Sequence, residues 1–98
     1  MLTELEFLEL FDVIVHRTKV VLDDYVEPKH IDTELAAIGL DSLDYVMIFM
    51  ELGEVYQIPE EIADHPPKLT TMQDIYDFIV ETKTVDVGSV DEAIKVLS

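Results

Sequence analysis

Apolar residues return at helical intervals along most of the chain, and nowhere at the two-residue interval of a half-buried strand. Thr3 and Glu6 form a capping-box signature. They precede Phe7, Leu10, Phe11, Ile14, Val15, Thr18, Val21 and Leu22, so the spacing predicts a first helix over 4–21. Asp23, Asp24 and Pro28 break that pattern. A long connection follows to Leu40, with Val26, Ile31, Leu35 and Ile38 expected to pin it across a helix layer. Gly39 is expected to act as a flexible pivot. Asp41 is a good N-cap, and Asp44 falls at the third helical position, where a carboxylate complements free amides. A second helix is therefore expected from Ser42 to about Tyr56, weakened by Gly53 and stopping before Pro59. Pro59, Glu60 and Glu61 predict a short third helical turn through Asp64, ended by Pro66 and Pro67. Thr70 and Gln73 form a further capping box ahead of Met72, Ile75, Tyr76 and Ile79, predicting a helix over 71–81. After a linker from Thr84 to Gly88, Ser89 and Glu92 repeat the capping signal before Ala93, Val96 and Leu97, consistent with a small terminal helix. With no heptad array or internal repeat, the expected fold is all-α: a small up-down bundle with a long loop between its first two helices.

The second helix does not fit an ordinary amphipathic pattern. Tyr45, Ile48, Phe49, Leu52 and Tyr56 make one apolar stripe, the expected core side, while Leu43, Val46, Met47 and Met50 make another. A helix apolar all round is either central or reserved for a partner, and the methionines suit an adaptable contact. Covering of the second stripe by the 23–40 loop is the plain alternative.

Charge narrows the classes of partner. The chain has 98 residues, enough for one domain but not two, with 22 acidic and 6 basic side chains and a net charge of −16. Hydrophobic residues are 49% of the sequence, and mean hydropathy is +0.21, so disorder is not expected. Nucleic acid and anionic membranes bind by having their negative charge neutralised, which this chain cannot do. Basic protein surfaces would be steered toward it. From His30 through Pro67 there are nine carboxylates and no Lys or Arg. There is no cysteine, so disulfides, thiolate metal sites and a cysteine nucleophile are excluded, and a reducing compartment is compatible. The longest apolar run, Tyr45 to Met50, is far short of the ~20 residues needed to span a bilayer. A soluble, cytoplasmic monomer is the expectation.

Candidate chemistry centres on Ser42, at the opening of the second helix. A negative group on its hydroxyl would face unpaired N–H groups and the positive end of the helix dipole. Taken alone, Asp41-Ser42-Leu43 reads first as a simple cap, since Asp and Ser at a helix start are most often just that. His16, His30 and His65 lack ligand spacing, and the sequence carries no EF-hand loop, G-x-S-x-G, P-loop or Rossmann fingerprint. Catalysis by this chain alone is not expected.

The segment Leu35-Ala36-Ala37-Ile38-Gly39-Leu40-Asp41-Ser42-Leu43-Asp44 resembles the attachment motif of acyl carrier proteins. The resemblance continues through Leu52 to Pro59, Glu60, Glu61 and Ile62, then Leu69-Thr70-Thr71-Met72-Gln73-Asp74-Ile75 and Tyr76 to Ile79, covering about residues 4–81. It implies a carrier-like domain over 1–82, leaving 83–98 as a C-terminal extension. It also implies that a phosphopantetheinyl transferase moves 4′-phosphopantetheine from coenzyme A onto Ser42, and that acyl groups then ride on the prosthetic thiol. The partners so implied are that transferase and synthases or acyltransferases with basic docking surfaces, in fatty-acid, lipid or polyketide synthesis. Asp41, Asp44 and Glu54 match the family's acidic recognition positions, and Phe49, Leu52 and Ile62 match positions lining its cargo cavity. Met47 and Gly53 stand where many fatty-acid carriers have acidic residues, and the Tyr56–Pro59 connection is shorter than in common bacterial carriers. These departures point to a specialised member whose partners read the Leu43, Val46, Met47 and Met50 stripe as well as charge. Aminoacyl or D-alanyl cargo remains open, as does an unmodified acidic adaptor that binds a partner helix.

Overall fold

A computed structural model of the chain describes residues 1–18 and 22–98. Five α-helices follow one another: α1 (Glu4–Thr18), α2 (Ser42–Tyr56), α3 (Glu60–Ala63), α4 (Met72–Thr82) and α5 (Val90–Leu97), with one 3₁₀ turn at Leu35–Ala37. The only extended pairing among the described residues is an isolated antiparallel bridge between Glu34 and Thr71, so the fold is all-helical as the periodicity predicts. The last three residues before Leu22 in the expected first helix, 19–21, lie outside the described residues.

Side-chain caps set where the helices start. Thr3 Oγ1 accepts from the Glu6 amide at 3.2 Å, and Glu6 Oε1 accepts from the Thr3 amide at 3.0 Å, the reciprocal box expected for α1. The box of α4 is shifted by one residue from its expected place. Thr71, not Thr70, caps the helix, with Asp74 rather than Gln73 as its reciprocal partner. Asp74 is the better partner because its short carboxylate accepts from both the Thr70 and Thr71 amides, which holds it below the usual carboxylate range. Ser89 caps α5 as expected, while the Glu92 carboxylate accepts from the Gly88 amide.

One core joins all the long helices. Phe7, Leu10, Phe11 and Ile14 of α1 meet Ile48, Leu52, Val55 and Tyr56 of α2 and Met72, Ile75 and Ile79 of α4. Val87 and Ala93 belong to the same cluster, so α5 and the segment leading to it pack on the bundle rather than trailing from it. Thr84 fixes that segment to the end of α2, donating its amide to Tyr56 O at 3.0 Å and its hydroxyl to Gln57 O at 2.6 Å. Arg17 donates to Leu97 O at 2.8 Å, tying α1 to the end of α5.

The 22–40 connection is held at both ends. Leu35 and Ile38 are buried as expected, and Ile31 is half-buried. Val26 departs from expectation: its side chain is exposed, and it anchors the loop through its backbone amide, which donates to Ile38 O at 2.9 Å. Further on, the Leu35 amide donates to Thr70 O and the Met72 amide to Thr33 O, stitching the loop to the start of α4. Gly39 is no flexible pivot. It sits at φ +83°, and a Cβ there would lie 1.9 Å from Asp24 O, so glycine is required by both backbone conformation and close packing. The chain thus reaches Ser42 from a fixed turn.

Candidate functional site

Asp41 stops the turn and starts α2. Its Oδ1 accepts from the Asp44 amide at 2.9 Å, and Asp44 Oδ2 accepts from the Asp41 amide at 3.0 Å. Both acidic residues therefore spend one oxygen on the backbone, while Asp41 and its neighbour Ser42 remain exposed. Since the Asp44 amide is capped and the Tyr45 amide bonds Asp41 O at 3.2 Å, Ser42 and Leu43 carry the first-turn amides that no intrahelical carbonyl can reach. A group on Ser42 Oγ thus meets fewer free donors than the helix start alone suggests.

Behind Ser42 lies an apolar cleft of about 330 Å³. Leu40, Ser42, Tyr45, Val46 and Phe49 form one wall, and Pro66, Pro67 and Leu69 the other. Among the described residues, no charged side chain lines it. Tyr45 is fixed in the wall because its hydroxyl donates to Leu35 O at 2.8 Å, and burial pushes that hydroxyl's pKa up to about 12, keeping it a donor at neutral pH.

A second cleft, of about 520 Å³, lies farther along α2. Met47, Met50, Gly53, Ile58 and Ala63 give it apolar surface, while Glu51, Glu54, Glu60 and Asp64 supply carboxylates. Phe49 borders both clefts. The expected cavity of Phe49, Leu52 and Ile62 does not form as such: Leu52 faces the core, and Ile62 is exposed outside both linings. Leu52 is taken into the core because it shares a helical face with Ile48, Val55 and Tyr56.

The outward stripe is not covered by the loop. Leu43, Val46, Met47 and Met50 are exposed by 66, 55, 39 and 67%, which decides against burial as the reason for their apolar character. Glu54 is exposed near the far end of the same stripe and lines the second cleft beside Met47 and Met50. Leu43, Val46, Met47, Met50 and Glu54 therefore share the outward side of α2, with Asp41, Ser42 and Asp44 at the start of the same helix. No family model, curated protein or solved structure matches the chain.

Among the described residues, no three His, Asp or Glu side chains are grouped to hold a metal ion, and no helix is long and apolar enough to cross a membrane. Tyr45's bond to Leu35 O and the place of Pro66 and Pro67 in the cleft lining are not legible from residue spacing, because both depend on contacts between separate segments. A Tyr on the core-facing stripe with a polar end to satisfy was the available signal.

Proposed function

We propose that this chain carries acyl groups as thioesters on a 4′-phosphopantetheine arm attached to Ser42, and has no catalytic activity of its own. One observation carries the reading: the Ser42 hydroxyl is exposed on a fixed turn, at the mouth of an uncharged apolar cleft and within an acidic face. In the loading step, Ser42 Oγ forms a bond to the phosphorus bearing the pantetheine as the pyrophosphate bond of coenzyme A breaks. Adenosine 3′,5′-bisphosphate leaves, and the hydroxyl proton passes to a base of the transferase. Once attached, the arm supplies a thiol that this cysteine-free chain lacks. The protein's own residues then do two things. Asp41 and Asp44 lock the first turn so that Ser42 is presented in one orientation. The Leu43, Val46, Met47 and Met50 stripe, rimmed by Glu54, offers partners apolar contact within a negative field.

The uncharged lining beside Ser42 favours an apolar acyl chain over an ammonium-bearing aminoacyl or D-alanyl unit, whose charge would be costly to bury there. Co-expression with a broad-range phosphopantetheinyl transferase followed by intact mass measurement tests attachment. The wild-type chain should gain one phosphopantetheine and Ser42→Ala none. A wild-type chain left unmodified by an active transferase would overturn the proposal and leave the exposed stripe as the surface of an unmodified adaptor.

A further inference from the structure

The turn that presents Ser42 is braced from α1 by a residue that the proposed loading chemistry does not use. Tyr25 is half-buried at the start of the long loop, and its hydroxyl donates to Asp12 Oδ1 on α1 at 2.7 Å. Burial and the Asp12 carboxylate both raise its pKa, so it remains a donor throughout the neutral range. His16 lies one helical turn beyond Asp12, its ring edge-on to Tyr25 with centroids 6.0 Å apart and its Nδ1 2.8 Å from Asp12 O. Tyr25 is thus held on two sides by α1.

From Tyr25 the contacts run directly to the site. The peptide joining Asp24 to Tyr25 lies against Gly39, where a Cβ would be 1.9 Å from Asp24 O, 2.8 Å from Asp24 C and 3.5 Å from Tyr25 Cα. The next amide, of Val26, donates to Ile38 O at 2.9 Å. Ile38 and Gly39 lead through Leu40 into the Asp41 cap. Each step in this path is a contact or a hydrogen bond, from Tyr25 to the turn.

We propose that Tyr25, held by Asp12, is a positioning residue for Ser42: it seats the Asp24–Val26 backbone against Ile38 and Gly39 and so fixes the orientation in which the first turn of α2 is presented. Its functional meaning rests on Ser42 being the attachment point, but its physical content does not. Tyr25→Phe keeps the ring and removes the hydroxyl. In the apo chain, NMR hydrogen exchange at the bonded amides of Asp41, Asp44 and Tyr45 should speed by about threefold to tenfold, as loss of one hydrogen bond predicts, with α4 and α5 unchanged. The transferase KM for the apo chain should rise by a similar factor while kcat stays constant. In an Asp12→Ala background, Tyr25→Phe should add nothing further, since the bond is already gone.

Faster exchange spread evenly over all helices would make Tyr25 an ordinary stability contact and overturn the proposal. So would unchanged exchange at the three amides, a change in kcat alone, or additive effects of the two substitutions. If wild-type Ser42 is never loaded, the attachment reading fails, yet the exchange measurements still decide the brace.

Discussion

The two sides of α2 are built from the same kinds of residue and meet opposite surroundings. Ile48, Leu52, Val55 and Tyr56 are buried in the core, with α1 and α5 packed against α2, whereas Leu43, Val46, Met47 and Met50 stand in solvent. Hydrophobicity alone does not distinguish them. The difference arises from what the rest of the fold brings up against each side: the other helices cover one, and the loop that is long enough to cover the other is instead stitched to α4 and to itself. Substitutions on the first side should therefore be read in folding free energy, and those on the second in recognition.

Leu52→Ala should test this most severely, lowering stability by about 2–5 kcal/mol in denaturant unfolding, as cavity formation in a packed core does. A loss below 1 kcal/mol would mean that the core side of α2 is not tightly packed. Gly39→Ala lies outside the helix but should behave like a core change. Its left-handed backbone and its contact with Asp24 O should together cost at least about 2 kcal/mol, measured in the same way. Asp41→Ala acts where the two sides meet: loss of the cap should cost about 1 kcal/mol and also slow Ser42 loading, whereas an unchanged loading rate would separate the turn's order from its recognition. Met47→Glu should leave stability within about 0.5 kcal/mol of wild type and, if the proposed carrier role holds, weaken binding to an acyl-processing partner by about tenfold. Binding abolished by high salt yet indifferent to Met47→Glu would show that charge alone is read.

A comparison remote from α2 comes from acid. Backbone amides of Thr70 and Thr71 hold the Asp74 carboxyl below its ordinary value, so its contribution to stability is complete above that ordinary value and disappears as pH falls through the lowered one. Asp74→Asn should lower the melting temperature slightly near neutral pH and leave it little changed at the acid end, so that the acid limb of a thermal-melt series flattens.

Much of this was legible because caps and helical periodicity are local. Asp41 and Asp44 are three residues apart, and their reciprocal bonds need nothing beyond the helix they start. The same locality explains the one-residue error at α4, where two adjacent threonines and two candidate partners compete and only the pairing with the loop at Thr33 and Glu34 selects Thr71. Gly39, Val26 and Tyr25 were misjudged or passed over for the opposite reason. The role of each is a contact with a residue far along the chain, Asp24, Ile38 and Asp12 respectively, and no window of sequence contains both ends. The two clefts were likewise hidden, since Phe49 is assigned to the core by its spacing and becomes a shared wall only once α3 and the proline pair are placed.

Sixteen net negative charges are carried on a body of 33 × 27 × 23 Å, so many lie within the Debye length of about 10 Å at 0.1 M salt and repel their neighbours. Dissolved ions consequently have two effects of contrary sign. They relieve the repulsion that works against the compact state, making the isolated chain harder to melt, and they mute the attraction that draws cationic surfaces toward it. Ionic conditions chosen to keep this protein intact in storage are for that reason the wrong ones in which to look for what it meets.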